Sequence, residues 1–154
     1  MNDQSDGDIE GRSEEYFVFV LCGEEFAVPL DSIEEVRRTE DRLIFRIAAA
    51  DALYGLINLR GTVVPVLDAR RLLDLDVPLT PAGGLVTVLV FMTKNGRAGL
   101  AAEDYRDVIT LEPARAENGA GGIRRGMAEA NGKKITLLAP EDLFEAGLLY
   151  RREA

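Results

Sequence analysis

From Tyr16 onward the chain alternates short apolar runs, rich in β-branched residues, with turn residues, a pattern that predicts strands instead of long helices. Phe17–Leu21 and Phe26–Leu30 flank Gly23, and Asn95-Gly96 and Asn131-Gly132 each lie between two further runs. Asn-Gly supplies the positive φ angles of a type I′ turn, so hairpins are predicted at all three places. Helices are minor. The candidates are Leu67–Leu75, with Leu72, Leu73 and Leu75 apolar, and Pro140–Ala146, with proline at the first helical position.

The two halves repeat faintly. Gly61-Thr62-Val63-Val64-Pro65-Val66-Leu67, then Leu72-Leu73, lines up with Gly132-Lys133-Lys134-Ile135-Thr136-Leu137-Leu138, then Leu143-Phe144, at an offset of 132 − 61 = 71. Val28, Ile33, Glu35 and Val36 fall opposite Leu100, Tyr105, Asp107 and Val108 at an offset of 72 (108 − 36). Each half reads as about five short strands and a short helix, and so small a set closes into a barrel to remove its edges. The expected fold is therefore mainly β: two small five-stranded barrels packed together, spanning 15–77 and 85–147 and linked by residues 78–84. Residues 1–14, polar and acidic except for Ile9, are expected to form a disordered tail, and Glu112–Gly122 a mobile loop.

Composition narrows the function. Eighteen Lys and Arg against twenty-seven Asp and Glu give a net charge of −9, which repels nucleic acid and anionic lipid. The longest apolar stretch, Leu85–Met92, is too short to span a membrane, and the acidic start lacks the pattern of a secretory signal, so a cytoplasmic protein is expected. Cys22, the single cysteine, extends an apolar run and reads as a core thiol. Histidine is absent, which removes the commonest general base and zinc ligand and leaves Ser5, Ser13 and Ser32 without an activating partner. The carboxylate pairs Glu34-Glu35, Glu103-Asp104 and Glu141-Asp142 read as solvated faces. Gly119-Ala120-Gly121-Gly122 lacks the lysine and following helix of a phosphate loop, and Asp6-Gly7-Asp8 lacks the remaining ligands of a calcium loop. An enzyme, a metal and a cofactor are all unexpected.

What remains is the hairpin Tyr54–Asp68, in which Gly61 suits the turn, Pro65 marks an edge or bulge, and the apolar residues alternate. Asn58, Arg60 and Asp68 are polar residues at the ends of apolar strands, which suggests a hydrogen-bond network or a contact surface. Gly55, Asn58-Leu59-Arg60-Gly61, Pro65 and Asp68-Ala69-Arg70 together resemble the signature of CheW-like domains. Phe17-Val18-Phe19, Glu25-Phe26-Ala27-Val28-Pro29, Ile33-Glu34-Glu35-Val36, Val108-Ile109 and Lys134-Ile135-Thr136-Leu137-Leu138 extend that resemblance along nearly the whole folded region. Leu43–Asp51 departs from it in lacking the prolines usual there.

The resemblance implies two SH3-like barrels and a non-enzymatic adaptor that couples chemoreceptors of the methyl-accepting type to the CheA histidine kinase, recruited to receptor arrays at the membrane without inserting. Its partners would be the kinase regulatory domain and the helical cytoplasmic tip of a receptor. A CheW-like module of a related two-component pathway, CheV-like or serving surface motility, is the alternative. Glu35, Val36, Asn58, Leu59, Arg60, Gly61, Val64 and Pro65 are the implied contact residues, and Arg60 is expected to pair with Glu35 across neighbouring strands, shaping the groove.

Overall fold

A computed structural model describes residues 14–46, 52–111 and 123–149. Nearly all of the acidic tail expected at 1–14, the loop expected at Glu112–Gly122 and the end of the Leu43–Asp51 stretch lie outside the described residues. Ten strands follow one another: β1 (Glu14–Leu21), β2 (Glu24–Pro29), β3 (Ile33–Glu40), β4 (Leu53–Leu59), β5 (Thr62–Leu67), β6 (Leu85–Thr93), β7 (Gly96–Ala102), β8 (Asp104–Leu111), β9 (Arg124–Ala130) and β10 (Lys133–Leu138), then the helix α1 (Pro140–Leu149).

Short connections make the hairpins. Cys22-Gly23, Arg60-Gly61 and Asn131-Gly132 all carry positive φ at both turn positions, from 52° to 88°, as a type I′ turn requires. Cys22 is therefore a turn residue at the margin of the core, partly buried against the interlayer cluster, with its Sγ reaching the Val77 carbonyl at 3.4 Å; the fully core thiol expected from its apolar neighbours is corrected to that extent. The Asn95-Gly96 hairpin forms with a different turn: Lys94 and Asn95 occupy it and only Gly96 takes a positive φ, 111°. Thr93 holds this turn, accepting from Asn95 N at 3.0 Å and donating to Gly96 O at 2.7 Å. The helix predicted over Leu67–Leu75 is corrected to a strand end and consecutive turns: one i→i+4 bond runs from Leu73 N to Ala69 O, and Asp74 at φ 58° ends the coil.

The strands form two five-stranded sheets, one in the order β8-β1-β2-β10-β9 (sheet A), the other β3-β6-β7-β5-β4 (sheet B). Neither sheet is one half of the chain, which corrects the barrels expected at 15–77 and 85–147. Strands β1 to β5 correspond in order to β6 to β10, and the halves exchange their first hairpins. Sheet A combines β1-β2 with β8, β9 and β10; sheet B combines β6-β7 with β3, β4 and β5. The sequence repeat survives residue by residue. Ile33 faces Phe91 and Val36 faces Leu89, just as Tyr105 faces Phe19 and Val108 faces Phe17, with a bulge at the same place in both ladders. Ile57 opposite Val64 matches Ala128 opposite Ile135. The backbone ladders end at β8 and β9 in sheet A and at β3 and β4 in sheet B.

Three cores follow from this exchange. Sheet B encloses Ile44, Tyr54, Ile57, Leu59, Val64, Val66, Val86, Val88, Val90 and Ala101. Sheet A encloses the smaller set Val18, Ala27, Ala128, Ile135 and Leu137. The largest core lies between the sheets, where Phe19, Phe26 and Val28 meet Leu67, Leu89, Phe91 and Leu100 beneath α1. The strand β6 is thus buried on both faces from Val86 to Phe91, which is why Leu85–Met92 reads as an apolar run broken only by the buried Thr87. Phe144 of α1 packs on Phe91 at 5.0 Å between ring centroids, and Gly147 brings the helix so close that a Cβ there would meet Leu67 at 2.6 Å. In the link 78–84, Thr80 N donates to Glu103, whose other oxygen accepts from Gly23 N, so one carboxylate ties the link to the β1–β2 turn.

Candidate functional site

The β4–β5 hairpin is built by a few residues with distinct tasks. Asn58 Oδ1 accepts the Gly61 N–H at 2.7 Å, closing the turn and leaving Arg60 at φ 52°. Arg60 then reaches back to Glu35, donating from Nη2 to Oε1 at 2.9 Å and from Nη1 to Oε2 at 3.3 Å. The expected placement on neighbouring strands is corrected: Arg60 lies in the β4–β5 turn, and β3 and β4 are the two outer strands of sheet B. Tyr54 of β4 makes a second such link, its hydroxyl donating at 2.6 Å to Asp41, which follows β3. From Glu35 to Asp41 the chain advances by as many residues as it recedes from Arg60 to Tyr54, so β3 and β4 face each other antiparallel across the gap. Side chains close the sheet where the backbone ladder does not.

Electrostatics follows that geometry. Hydrogen bonding from Arg60 holds the Glu35 carboxyl below its ordinary pKa against the opposing effect of burial, and Arg37 at 3.1 Å adds to the lowering. Burial, then the bond to Asp41, pushes the Tyr54 phenol well above its usual value. Arg46 stacks 4.0 Å from the centroid of that ring.

Further along the hairpin, Asp68 is almost fully buried and accepts from Arg70 at 2.7 Å, while Arg70 also donates to Val77 O at 3.0 Å. This triplet fixes the chain leaving β5. Gly55 is required by close approach. Phe45 and Leu56 exchange both backbone bonds, at 3.0 and 2.8 Å, and a Cβ at Gly55 would meet Ile44 Cγ2 at 2.5 Å and Phe45 O at 2.6 Å.

The implied contact residues divide by strand parity. Leu59 and Val64, 3% and 0% exposed, belong to the core of sheet B, which corrects their assignment as contact residues. Opposed residues share a face, so Leu56 with Pro65 and Asn58 with Val63 form the outer surface of the hairpin, extended by Phe45. Val63 and Phe45 are 62% and 67% exposed, and neither was singled out by sequence.

The second feature is a seam between the sheets. Val36 shares the face of Leu89, and Tyr105 and Val108 share those of Phe19 and Phe17, so β3 and β8 both turn apolar residues toward the interlayer core. Phe17 and Ile33 are half-buried there, while Tyr105 and Val108 remain 39% and 45% exposed. Tyr105 meets Phe17 edge-on at 6.0 Å, and Arg38 lies 5.6 Å from the Tyr105 centroid and 3.9 Å from Asp104. The result is an apolar trough between two outer strands with a charged end.

Among the described residues no group of His, Cys, Asp and Glu is arranged to hold a metal, and no helix is long and apolar enough to cross a membrane. The two interlocked sheets thus expose an apolar seam and an apolar hairpin face, surfaces of the kind through which proteins contact other macromolecules. The family model for the CheW-like domain matches residues 15–147, and the chain belongs to that family. It is 25% identical over 113 residues to the chemotaxis protein CheW of Bacillus subtilis (strain 168), covering 73% of this chain and 70% of that protein. It is 34% identical over 103 residues to the chemotaxis protein CheW of Klebsiella aerogenes, covering 66% of this chain and 60% of that relative's length. The fold is similar to that of the scaffolding protein TtCheW from Thermoanaerobacter tengcongensis, with a TM-score of 0.75 at 21% identity over 87% of this chain and 94% of that one.

Proposed function

We propose that this protein is a chemotaxis scaffold that couples chemoreceptors to a CheA-type histidine kinase, and that the β3–β8 seam receives the helical tip of the receptor. The observation that carries this reading is the seam itself: Val36, Phe17, Tyr105 and Val108 continue the interlayer core out to solvent. A trough of half-exposed apolar side chains fits the apolar ridge of a helix, and its polar rim supplies orientation. Arg38 and Asp104 provide that rim. The outer hairpin face, with Phe45, Leu56, Val63 and Pro65 around Asn58, is the surface for the kinase regulatory domain. Arg60 and Glu35 act between the two surfaces, holding β3 against the hairpin instead of contacting a partner.

The relatives' names place them in chemotaxis, and the lack of histidine accords with a role through contacts and not through turnover. The test is calorimetric titration of the purified protein with a receptor-tip fragment and, separately, with a kinase regulatory domain. Val36→Glu should abolish the first interaction and spare the second; Val63→Glu should do the reverse. Loss of both interactions in either folded variant would contradict the assignment of separate surfaces.

A further inference from the structure

The exchanged repeat allows one half of the molecule to be read against the other. In sheet B the outer strands β3 and β4 are joined by Glu35–Arg60 and Asp41–Tyr54. By the repeat, Glu35 corresponds to Asp107 of β8 and Arg60 to Asn131 of the β9–β10 turn, and the correspondence holds structurally. Glu35 and Asp107 both lie at the bulge of their strands, while Arg60 and Asn131 take φ angles of 52° and 55°. In sheet A, however, the guanidinium is gone. Asn131 is too short to span the gap, and among the described residues neither it nor Asp107 makes a side-chain hydrogen bond or an ion pair with the opposite outer strand.

We infer that the receptor-binding seam has one fixed wall and one yielding wall: β3 is latched along its outer edge by Glu35–Arg60, and β8 is left unlatched so that it can shift to seat a helix. The inference rests on the seam being the docking site. Three further observations support the difference between the walls. Sheet A encloses the smaller closed core, five buried apolar residues, two of them alanines, against ten in sheet B, with Ile109 and Leu111 of β8 only partly buried against it. The unlatched strand carries the more exposed apolar seam residues, Tyr105 and Val108, whereas Val36 on the latched strand is half-buried. Beyond its ladder to β1, β8 is held by contacts of its own first residues: Tyr105 with Phe17, Asp104 with Arg38 at 3.9 Å, and Arg106 at 3.7 Å with Glu25, a carboxylate that Lys133 of β10 shares at 3.6 Å. Its second half, from Asp107 onward, packs Ile109 and Leu111 on the small core of sheet A and makes no side-chain hydrogen bond or ion pair with a neighbouring strand among the described residues.

The experiment is hydrogen exchange by mass spectrometry on the full chain, free and with a receptor-tip fragment. In the free protein, amides of 106–111 should exchange on the order of tenfold faster than those of 35–40, the signature of local opening and not of global unfolding. The double variant Asp107→Glu with Asn131→Arg should slow 106–111 toward the rate of 35–40. Because a new arginine in that turn could disturb folding, Arg60→Ala provides the converse: removing the latch should raise exchange in 35–40 and leave 106–111 unchanged. Equal exchange of the two segments in the free protein, or no response of 35–40 to Arg60→Ala, overturns the inference whether or not receptor binds. If the segments differ as stated but the fragment neither binds nor protects 106–111, the docking reading fails while the mechanical asymmetry stands.

Discussion

Arg60 and Glu35 join the two outer strands of one sheet through hydrogen bonds of 2.9 and 3.3 Å, at an edge that no backbone ladder closes. Arg60 is largely exposed, and Glu35 keeps a second partner in Arg37 at 3.1 Å. Removing Arg60 therefore leaves no buried charge unpaired, and Arg60→Ala should lower the Tm only slightly, by an amount that salt screens. The pair depresses the folded-state pKa of Glu35, so its stabilisation is complete above the ordinary glutamate pKa and is lost as pH falls through the lowered folded value. The Tm difference between wild type and variant should shrink over that acid window. Carboxyl NMR should show Glu35 titrating at higher pH in Arg60→Ala, and an unmoved titration would mean that the pair does not persist in solution.

Adjacent valines on β5 should behave oppositely. Val64 is completely buried, so Val64→Ala should cost about 2 kcal/mol in urea unfolding through lost contacts and the cavity left behind. Val63 faces solvent, and Val63→Ser should change stability by less than about 0.5 kcal/mol. Comparable losses at both positions would contradict the parity of the strand.

Gly55→Ala should destabilise the protein by on the order of 2 kcal/mol, because the new methyl would press on a backbone carbonyl as well as on Ile44. The strain should appear locally, as faster amide exchange at Phe45 and Leu56, whose paired backbone bonds it pushes apart. A neutral substitution there would show that the segment before β4 gives way freely.

Arg70 is the sole cation bonded to nearly buried Asp68 among the described residues, and it also satisfies Val77 O. Arg70→Ala should cost about 2 kcal/mol, the penalty of leaving a buried charged acceptor unpaired. Arg70→Lys should recover only part of this, since an ammonium cannot bond both carboxylate oxygens and the carbonyl in the planar geometry of the guanidinium. Full recovery by lysine would reduce the contact to simple charge pairing.

Much of this architecture is legible in the sequence because turn chemistry and strand period are local. Gly23, Gly61 and Gly132 mark turns whose positive φ few other residues accept, and Pro140 starts the helix where it stands. The exchange of hairpins is not local: the repeat tells which strands correspond, while which strand pairs with which depends on the packing of three cores at once. The same limit explains Val64. A β5 strand of Val63, Val64 and Val66 is apolar on both faces, so alternation alone does not say which valine faces out. Tyr105 and Val108 stood in the repeat as counterparts of Ile33 and Val36, and that correspondence was the available signal for the second wall of the seam. Arg60 and Glu35 are distant in the chain and lie at opposite edges of their sheet, so their contact follows from the rolled form of the sheet and from no strand pairing.

The central claim is that the β3–β8 seam takes a receptor helix, and the most direct measurement is calorimetric titration of a receptor-tip fragment into wild type, Val36→Glu and Tyr105→Glu. A charge on either wall should abolish binding by placing an unpaired carboxylate against an apolar ridge, while both variants retain the wild-type unfolding transition within a few degrees. Wild-type binding in both folded variants would contradict the claim and move the receptor site elsewhere on the molecule.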